Sequence, residues 1–197
     1  MANENIENKD TKKLNVLVPL AQGCEELEAV TITDLLTRAG MSVTTVGLDN
    51  KPVTASRGMV LLPDTSIDNV MDKSFDLIVL PGGLPGADTL QHDKRVQKKL
   101  KLMAAENKTI AAICAAPKAL ASAGLLDGKN FTSYPGSIDS CNIKDMKYSD
   151  NSVVIDGNIV TSRGPGTAMD FALALIEKLL GKDKRDKVEG PLMRDKS

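Results

Sequence analysis

Cys114 is the residue best placed for covalent chemistry. It stands between a β-type run, Thr109–Ile113 (TIAAI), and a helix-type run over 115–123 (AAPKALASA). A strand-turn-helix junction can project a nucleophile above the edge of a sheet. A helix N-terminus behind a thiol favours the thiolate, which is the attacking form. Ala111, Ala112, Ala115 and Ala116 leave room for a ligand to approach the backbone. The alternative reading is a buried thiol acting as a small hydrophobe. Glu28 strengthens the first reading. It lies four residues before Ile32, on the same helical face as an apolar stripe. A carboxylate facing inward is costly unless paired or protonated, and a protonated carboxyl near neutral pH is a general acid. The alternative for Glu28 is a first-turn glutamate that complements the helix dipole, the role assigned here to Glu25 and Glu26.

The remaining candidates are weaker. The run 81–86 (PGGLPG) can present backbone N–H groups to a developing oxyanion, or be a tight turn that needs glycine. It is not a G-x-G-x-x-G run opening a helix after the first strand, which disfavours a dinucleotide fold. The single histidine, His92, lies beside Asp93 and Lys94 and reads as a solvated surface residue. No histidine is thereby placed for a Cys-His dyad, so a cysteine peptidase is disfavoured. Cys24 precedes the Glu28 helix and reads as a packed thiol or a secondary redox site. Cys141 lies in a polar loop, open to incidental oxidation.

Composition narrows the function classes. The 197 residues carry a formal net charge of -1 and no basic, aromatic-interleaved stretch, so nucleic acid is not an expected partner. No apolar run approaches the ~20 residues of a membrane span, and residues 1–13 lack the apolar core of a secretory signal. Three widely spaced cysteines do not make a disulfide framework, and one histidine argues against a structural metal. A reducing, cytoplasmic setting is the expectation.

These residues need elements to hold them. The pattern predicts a polar tail over 1–13, one domain over 14–192 and a short tail over 193–197. Strands are expected at 14–20, 41–48, 75–80, 109–113 and 131–134, with hairpins turned at Arg57-Gly58 and Asp156-Gly157. Helices are expected from Glu25 to Gly40, after an Asp93 cap, over 115–123 and over 167–180, with a short helical piece over 66–71. Alternating elements with near-continuously apolar strands imply an α/β fold: a mostly parallel sheet, doubly wound, with helices on both faces. In such sheets ligands bind at the carboxyl ends of the strands. The loop after the first strand, the run 81–86 and Cys114 all fall there.

The segments 23–28 (GCEELE), 80–83 (LPGG), 111–117 (AAICAAP) and 161–166 (TSRGPG) together resemble the ThiJ/PfpI superfamily, in its DJ-one branch, over about 14–192. The resemblance implies a flavodoxin-like sandwich and a homodimer. It implies that Cys114 is the reactive, easily oxidised residue and that Glu28 hydrogen-bonds its sulfur. It places backbone N–H groups of Gly83 and Ala115 in an oxyanion pocket reached by Gly82, with Arg57 and Arg163 near the pocket and the dimer seam. It implies cofactor-free glyoxalase or deglycase chemistry on methylglyoxal-type dicarbonyls, or a redox-responsive chaperone role under oxidative stress. The branch carries a histidine in the segment matching 132–135, where this chain has Tyr134. It commonly carries glycine where this chain has Ala116.

Overall fold

The computed structural model describes residues 13–194. The expected polar tail over 1–13 falls outside them, except for Lys13.

The chain opens with β1 (Asn15–Leu20), α1 (Glu26–Arg38) and β2 (Ser42–Gly47). Gly40, with φ +86°, turns the chain out of α1, a conformation glycine adopts without a Cβ clash. A two-residue-per-strand hairpin follows, β3 (Val53–Thr54) and β4 (Val60–Leu61), turned at Arg57-Gly58 as the sequence predicts. Edge strand β5 (Thr65–Ser66) leads into a 3-10 helix over Ile67–Val70 and then β6 (Leu77–Leu80). Next come α2 (Gly86–His92) and α3 (Lys94–Ala105), whose N-terminus is capped by Asp93 accepting from the N–H groups of Arg95 and Val96. The second half runs β7 (Thr109–Ile113), α4 (Pro117–Ser122), β8 (Asn130–Phe131) and β9 (Lys147–Tyr148). It ends with β10 (Val153–Asp156), β11 (Ile159–Ser162), α5 (Ala168–Leu180) and α6 (Lys182–Glu189).

Seven strands form one sheet in the order β10-β11-β7-β6-β1-β2-β5, parallel throughout except for the antiparallel β10-β11 pair. Successive strand residues face opposite sides, and each side has its own core. Val16, Val18, Val79, Ala111 and Ile113 pack with α1 and α5 on one face. Leu17, Ile78, Leu80, Ile110 and Ala112 pack with α2, α3 and α4 on the other. This is the doubly wound sandwich expected from the pattern. The carboxyl ends of β1, β6 and β7 lie side by side because β6 pairs with both β1 and β7. That pairing carries the loop after β1, the glycine run and Cys114 to one edge.

The structure departs from the sequence reading at several elements. The strand expected at 131–134 is Asn130–Phe131 only, because the Thr132 N–H goes to the Thr161 hydroxyl and the Tyr134 N–H to Cys114 O rather than into a strand ladder. Its parallel partner β9 carries too little hydrophobic patterning to be read in advance. The helix expected over 115–123 begins at Pro117, so Ala115 and Ala116 form a turn. Helix α6 is almost wholly polar, and it is held by packing on α5 and by Arg185 pairing with Glu189.

Candidate active site

The site is assembled from three loops at the sheet edge. Cys114 ends β7 with φ +61°, a left-handed conformation that is costly for a residue with a Cβ. Two backbone hydrogen bonds hold it there. Its N–H donates to Ser162 O (2.9 Å) at the end of β11, and its carbonyl accepts from Tyr134 N (2.8 Å). The local sequence permits the turn because Ala115 and Ala116 are small and Pro117 starts α4 at its first position. Cys114 is 8% exposed.

Glu28 sits in the first turns of α1 among the buried residues Ala29, Ile32 and Leu35, with no exposed surface. One carboxyl oxygen, Oε2, accepts the N–H of Gly82 at 2.7 Å. The other, Oε1, is buried without a conventional hydrogen-bond partner. The Cys114 side chain is near enough for the two groups to shift each other's ionisation. Burial pushes the Glu28 carboxyl up to about 7, against the opposing pull of the Gly82 N–H and of Cys114. The carboxyl therefore exchanges a proton near neutral pH.

The glycine run is a backbone-to-backbone contact. A Cβ on Gly82 would lie 2.7 Å from the Cys114 Cβ and 2.9 Å from Ile113 O. One on Gly83 would run into the backbone of residues 23–25. Gly82 also accepts the N–H of Glu25 at 2.9 Å. Glycine here permits the loop after β1, the loop after β6 and the Cys114 turn to touch. The backbone N–H groups of Gly83 and Ala115 act on the Cys114 sulfur and favour its ionised form.

The thiol itself departs from expectation. A helix N-terminus was expected to lower its pKa, yet it is pushed up to about 12. Burial is the largest cause, followed by the negative charge of Glu28 and the hydrogen bond to it; the Gly83 and Ala115 amides only partly offset these. Helix α4 has six residues and starts three positions after Cys114, so its dipole is small and distant. Sulfur and carboxyl thus compete for one proton. When the carboxyl holds it, the charge opposing the thiolate is gone and a donor faces the sulfur.

Tyr134 and Arg163 flank the two backbone bonds of Cys114. They line an open hollow of about 370 Å³ with Pro135, Gly164, Pro165, Gly166 and Thr167. The Arg163 guanidinium is held by Asp150, through its carbonyl at 2.7 Å and its carboxylate at 3.3 Å. Arg57 is not part of this hollow. Its side chain is exposed, and its N–H donates to Glu26 Oε1 at 2.8 Å. Glu25 and Glu26 do more than complement the dipole: the Ser56 hydroxyl bridges their carboxylates at 2.7 and 2.9 Å, tying the β3-β4 turn to α1. The sequence carries no signal for that contact, which spans about thirty residues. Cys24 is fully buried and its thiol is pushed up to about 11 by burial, which makes it a packed thiol. Cys141 is half-buried. His92 is exposed, with Nδ1 2.8 Å from Asp88 O, away from the site. Among the described residues no group of His, Cys, Asp and Glu side chains could hold a metal ion, and no helix is long and apolar enough to cross a membrane.

A doubly wound parallel sheet bearing a left-handed cysteine elbow, a buried glutamate beside it and a glycine loop facing both defines a class of cysteine-centred α/β proteins. The model of the DJ-1/PfpI family matches residues 14–178, and the chain belongs to that family. It is 44% identical to Protein DJ-1 homolog B of Arabidopsis thaliana over 191 residues, which is 94% of this chain and 42% of that relative, so it spans under half of that relative's length. It is 34% identical over 181 residues to a Caenorhabditis elegans protein named Glutathione-independent glyoxalase DJR-1.2, covering 92% of this chain and 96% of that one. The crystal structure of Drosophila melanogaster DJ-1beta superposes with a TM-score of 0.88 at 43% identity, covering 93% of this chain and all of that one.

Proposed function

We propose that this chain is a cysteine-dependent, cofactor-free glyoxalase acting on methylglyoxal-type 2-oxoaldehydes, with a deglycase capacity on their early glycation adducts. The observation that carries the reading is the buried Glu28 carboxyl, poised near pH 7 with one oxygen unpartnered and with the Cys114 thiol acting on its ionisation. The Glu28 carboxylate takes the thiol proton, and the thiolate adds to the aldehyde carbon to give a hemithioacetal alkoxide. The Gly83 and Ala115 amides steady that oxyanion. Glu28 returns the proton to oxygen and, as carboxylate, removes the hydrogen on the former aldehyde carbon. The enediol is then protonated at the neighbouring carbon, giving a 2-hydroxy thioester. Water hydrolyses the thioester to a 2-hydroxy acid and frees the thiol. One carbon is oxidised and its neighbour reduced, so no external oxidant or cofactor enters. Tyr134 replaces the imidazole of the DJ-one branch, and Glu28 carries the proton traffic alone.

The reading extends to a cytoplasmic homodimer. Leu27 and Val30 on α1 and Met59 and Val60 on the hairpin are exposed apolar side chains that the Glu26-Arg57 contact holds together, a face suited to a second copy. Sedimentation equilibrium that returned a monomer would remove this part. The deciding experiment for the activity is lactate formation from methylglyoxal without glutathione, by the wild type and Cys114→Ala. Lactate from the wild type alone supports the reading; none from a folded wild type overturns it.

One observation favours a second reading, a redox-responsive protein switched at Cys114. The Gly83 and Ala115 amides and the Glu28 carboxyl converge on the sulfur, and together they would bind the oxygens of a sulfinate. Peroxide would be the oxidant, two molecules reduced to water per sulfinate formed. Intact mass after mild peroxide should show two oxygen atoms added at Cys114; oxygen spread over all three cysteines would count against it.

A further inference from the structure

The hollow beside Cys114 is larger than the substrate proposed above requires. At about 370 Å³ it falls in the ~300–1,000 Å³ range of small-molecule sites, whereas methylglyoxal presents only a methyl group to it. Its position relative to the nucleophile is fixed by backbone. Tyr134 N donates to Cys114 O, and Arg163 directly follows Ser162, whose carbonyl accepts Cys114 N. Two wall residues of the hollow are therefore tied to the Cys114 backbone, Tyr134 directly and Arg163 through its neighbour Ser162.

Its walls have a definite chemistry. The Tyr134 ring stands half exposed, at 53%, and packs beside Gly164, where a Cβ would meet the ring at 3.5 Å. Pro135 and Pro165 add rigid apolar surface. The one cation on the rim, Arg163, is already engaged by Asp150 through two contacts, so a substrate carboxylate would compete with Asp150 for it. An aromatic face, two prolines and a satisfied guanidinium favour a flat apolar group.

We propose that Tyr134 is a specificity-determining residue and that the hollow receives the substituent on the dicarbonyl, so that aryl and longer-alkyl 2-oxoaldehydes are preferred to methylglyoxal. The inference rests on the glyoxalase reading and specifies its substrate class. The chemistry is unchanged: phenylglyoxal and water give mandelate, the aldehyde carbon oxidised and the ketone carbon reduced.

The test compares kcat/KM for phenylglyoxal and methylglyoxal in the wild type, Tyr134→Ala and Tyr134→Phe. The wild type should favour phenylglyoxal by about tenfold, the scale on which hydrophobic pockets discriminate small apolar groups. Tyr134→Ala should collapse the ratio, mainly through KM, and Tyr134→Phe should keep it. A ratio that is the same in all three proteins overturns the inference while leaving the activity intact. A second measurement is independent of turnover: protection of Cys114 from iodoacetamide by mandelate and by lactate. If neither aldehyde is converted, yet mandelate protects better than lactate and loses that advantage in Tyr134→Ala, the subsite stands and the glyoxalase reading falls. Equal protection by the two acids overturns the subsite as well.

Discussion

Among the described residues one carboxyl and one ammonium group, Glu28 and Lys99, are buried, at opposite ends of the sheet strands, and they are treated in opposite ways. Lys99, on α3, is buried near the amino end of β6. Its ammonium donates to three carbonyls, Val70 O (3.2 Å), Met71 O (3.1 Å) and Lys73 O (2.6 Å), and lies 5.2 Å from the centre of the Phe75 ring. Three donors meet three acceptors at the end of a 3-10 helix, where Val70 O also accepts the Lys73 N–H at 3.1 Å. Glu28, at the carboxyl ends of the strands, has one firm donor and one oxygen without a hydrogen-bond partner. A fully coordinated buried ion has nothing further to exchange, so Lys99 is a fastening. An under-coordinated one is held at higher free energy with its proton in contention, and that is the state a proton-transfer group requires.

The contrast can be broken by removing each group. Glu28→Gln keeps the shape and an oxygen for the Gly82 N–H but ends proton exchange. Turnover of methylglyoxal should fall by ~10²–10⁴-fold, the usual size of acid-base assistance, with the circular dichroism spectrum unchanged. Near wild-type turnover would show that Glu28 is as inert as Lys99. Lys99→Met should do the reverse. Met71 O and Lys73 O lose the Lys99 donor, Val70 O keeps only the Lys73 N–H, and stability should fall by ~2–3 kcal/mol in urea unfolding, while turnover per folded molecule stays the same. A loss of turnover without a loss of stability would mean that the two ends are coupled and the division of roles is wrong.

How much of this was legible beforehand depended on whether the signal was local. β1, β6, β7 and α5 announce themselves by apolar runs or helical stripes, and the Asp93 cap by its place before α3. Glu28 and Cys114 were found because each breaks a local pattern: a carboxylate on an apolar stripe, and a cysteine at a strand-helix junction. What stayed hidden is set by contacts between distant segments. The lift of the Cys114 pKa comes from burial and from Glu28, and neither is a property of the residues around Cys114. The Ser56 bridge to Glu25 and Glu26, and the coordination of Lys99 by 70–73, likewise exist only after folding. Lys99 in particular reads as one more lysine in a basic helix. β8 and β9, at two residues each, are defined by their pairing rather than by their composition.

The smallest predicted effect tests the comparison through pH. In the unfolded chain the Glu28 carboxyl has an ordinary value near 4.5, and in the folded protein burial, the largest cause, moves it to about 7. Between those values the folded state binds the proton more strongly than the unfolded state, so stability falls as pH rises. Below about 4.5 both states are protonated and Glu28 imposes no cost. Above about 7 both are ionised and the full cost is felt. The displacement is equivalent to at most ~3 kcal/mol, and relaxation of the site should reduce the observed change to about 1–2 kcal/mol. Urea unfolding of the wild type at pH 5 and pH 8 should show that loss, and Glu28→Gln should remove it, leaving the variant more stable than the wild type at pH 8 though nearly inactive. If the wild type and Glu28→Gln lose stability in parallel across this window, the Glu28 carboxyl is not held in a strained ionised state. It would then be fully coordinated after all, like Lys99, and the proton-exchanging role would have to be sought elsewhere.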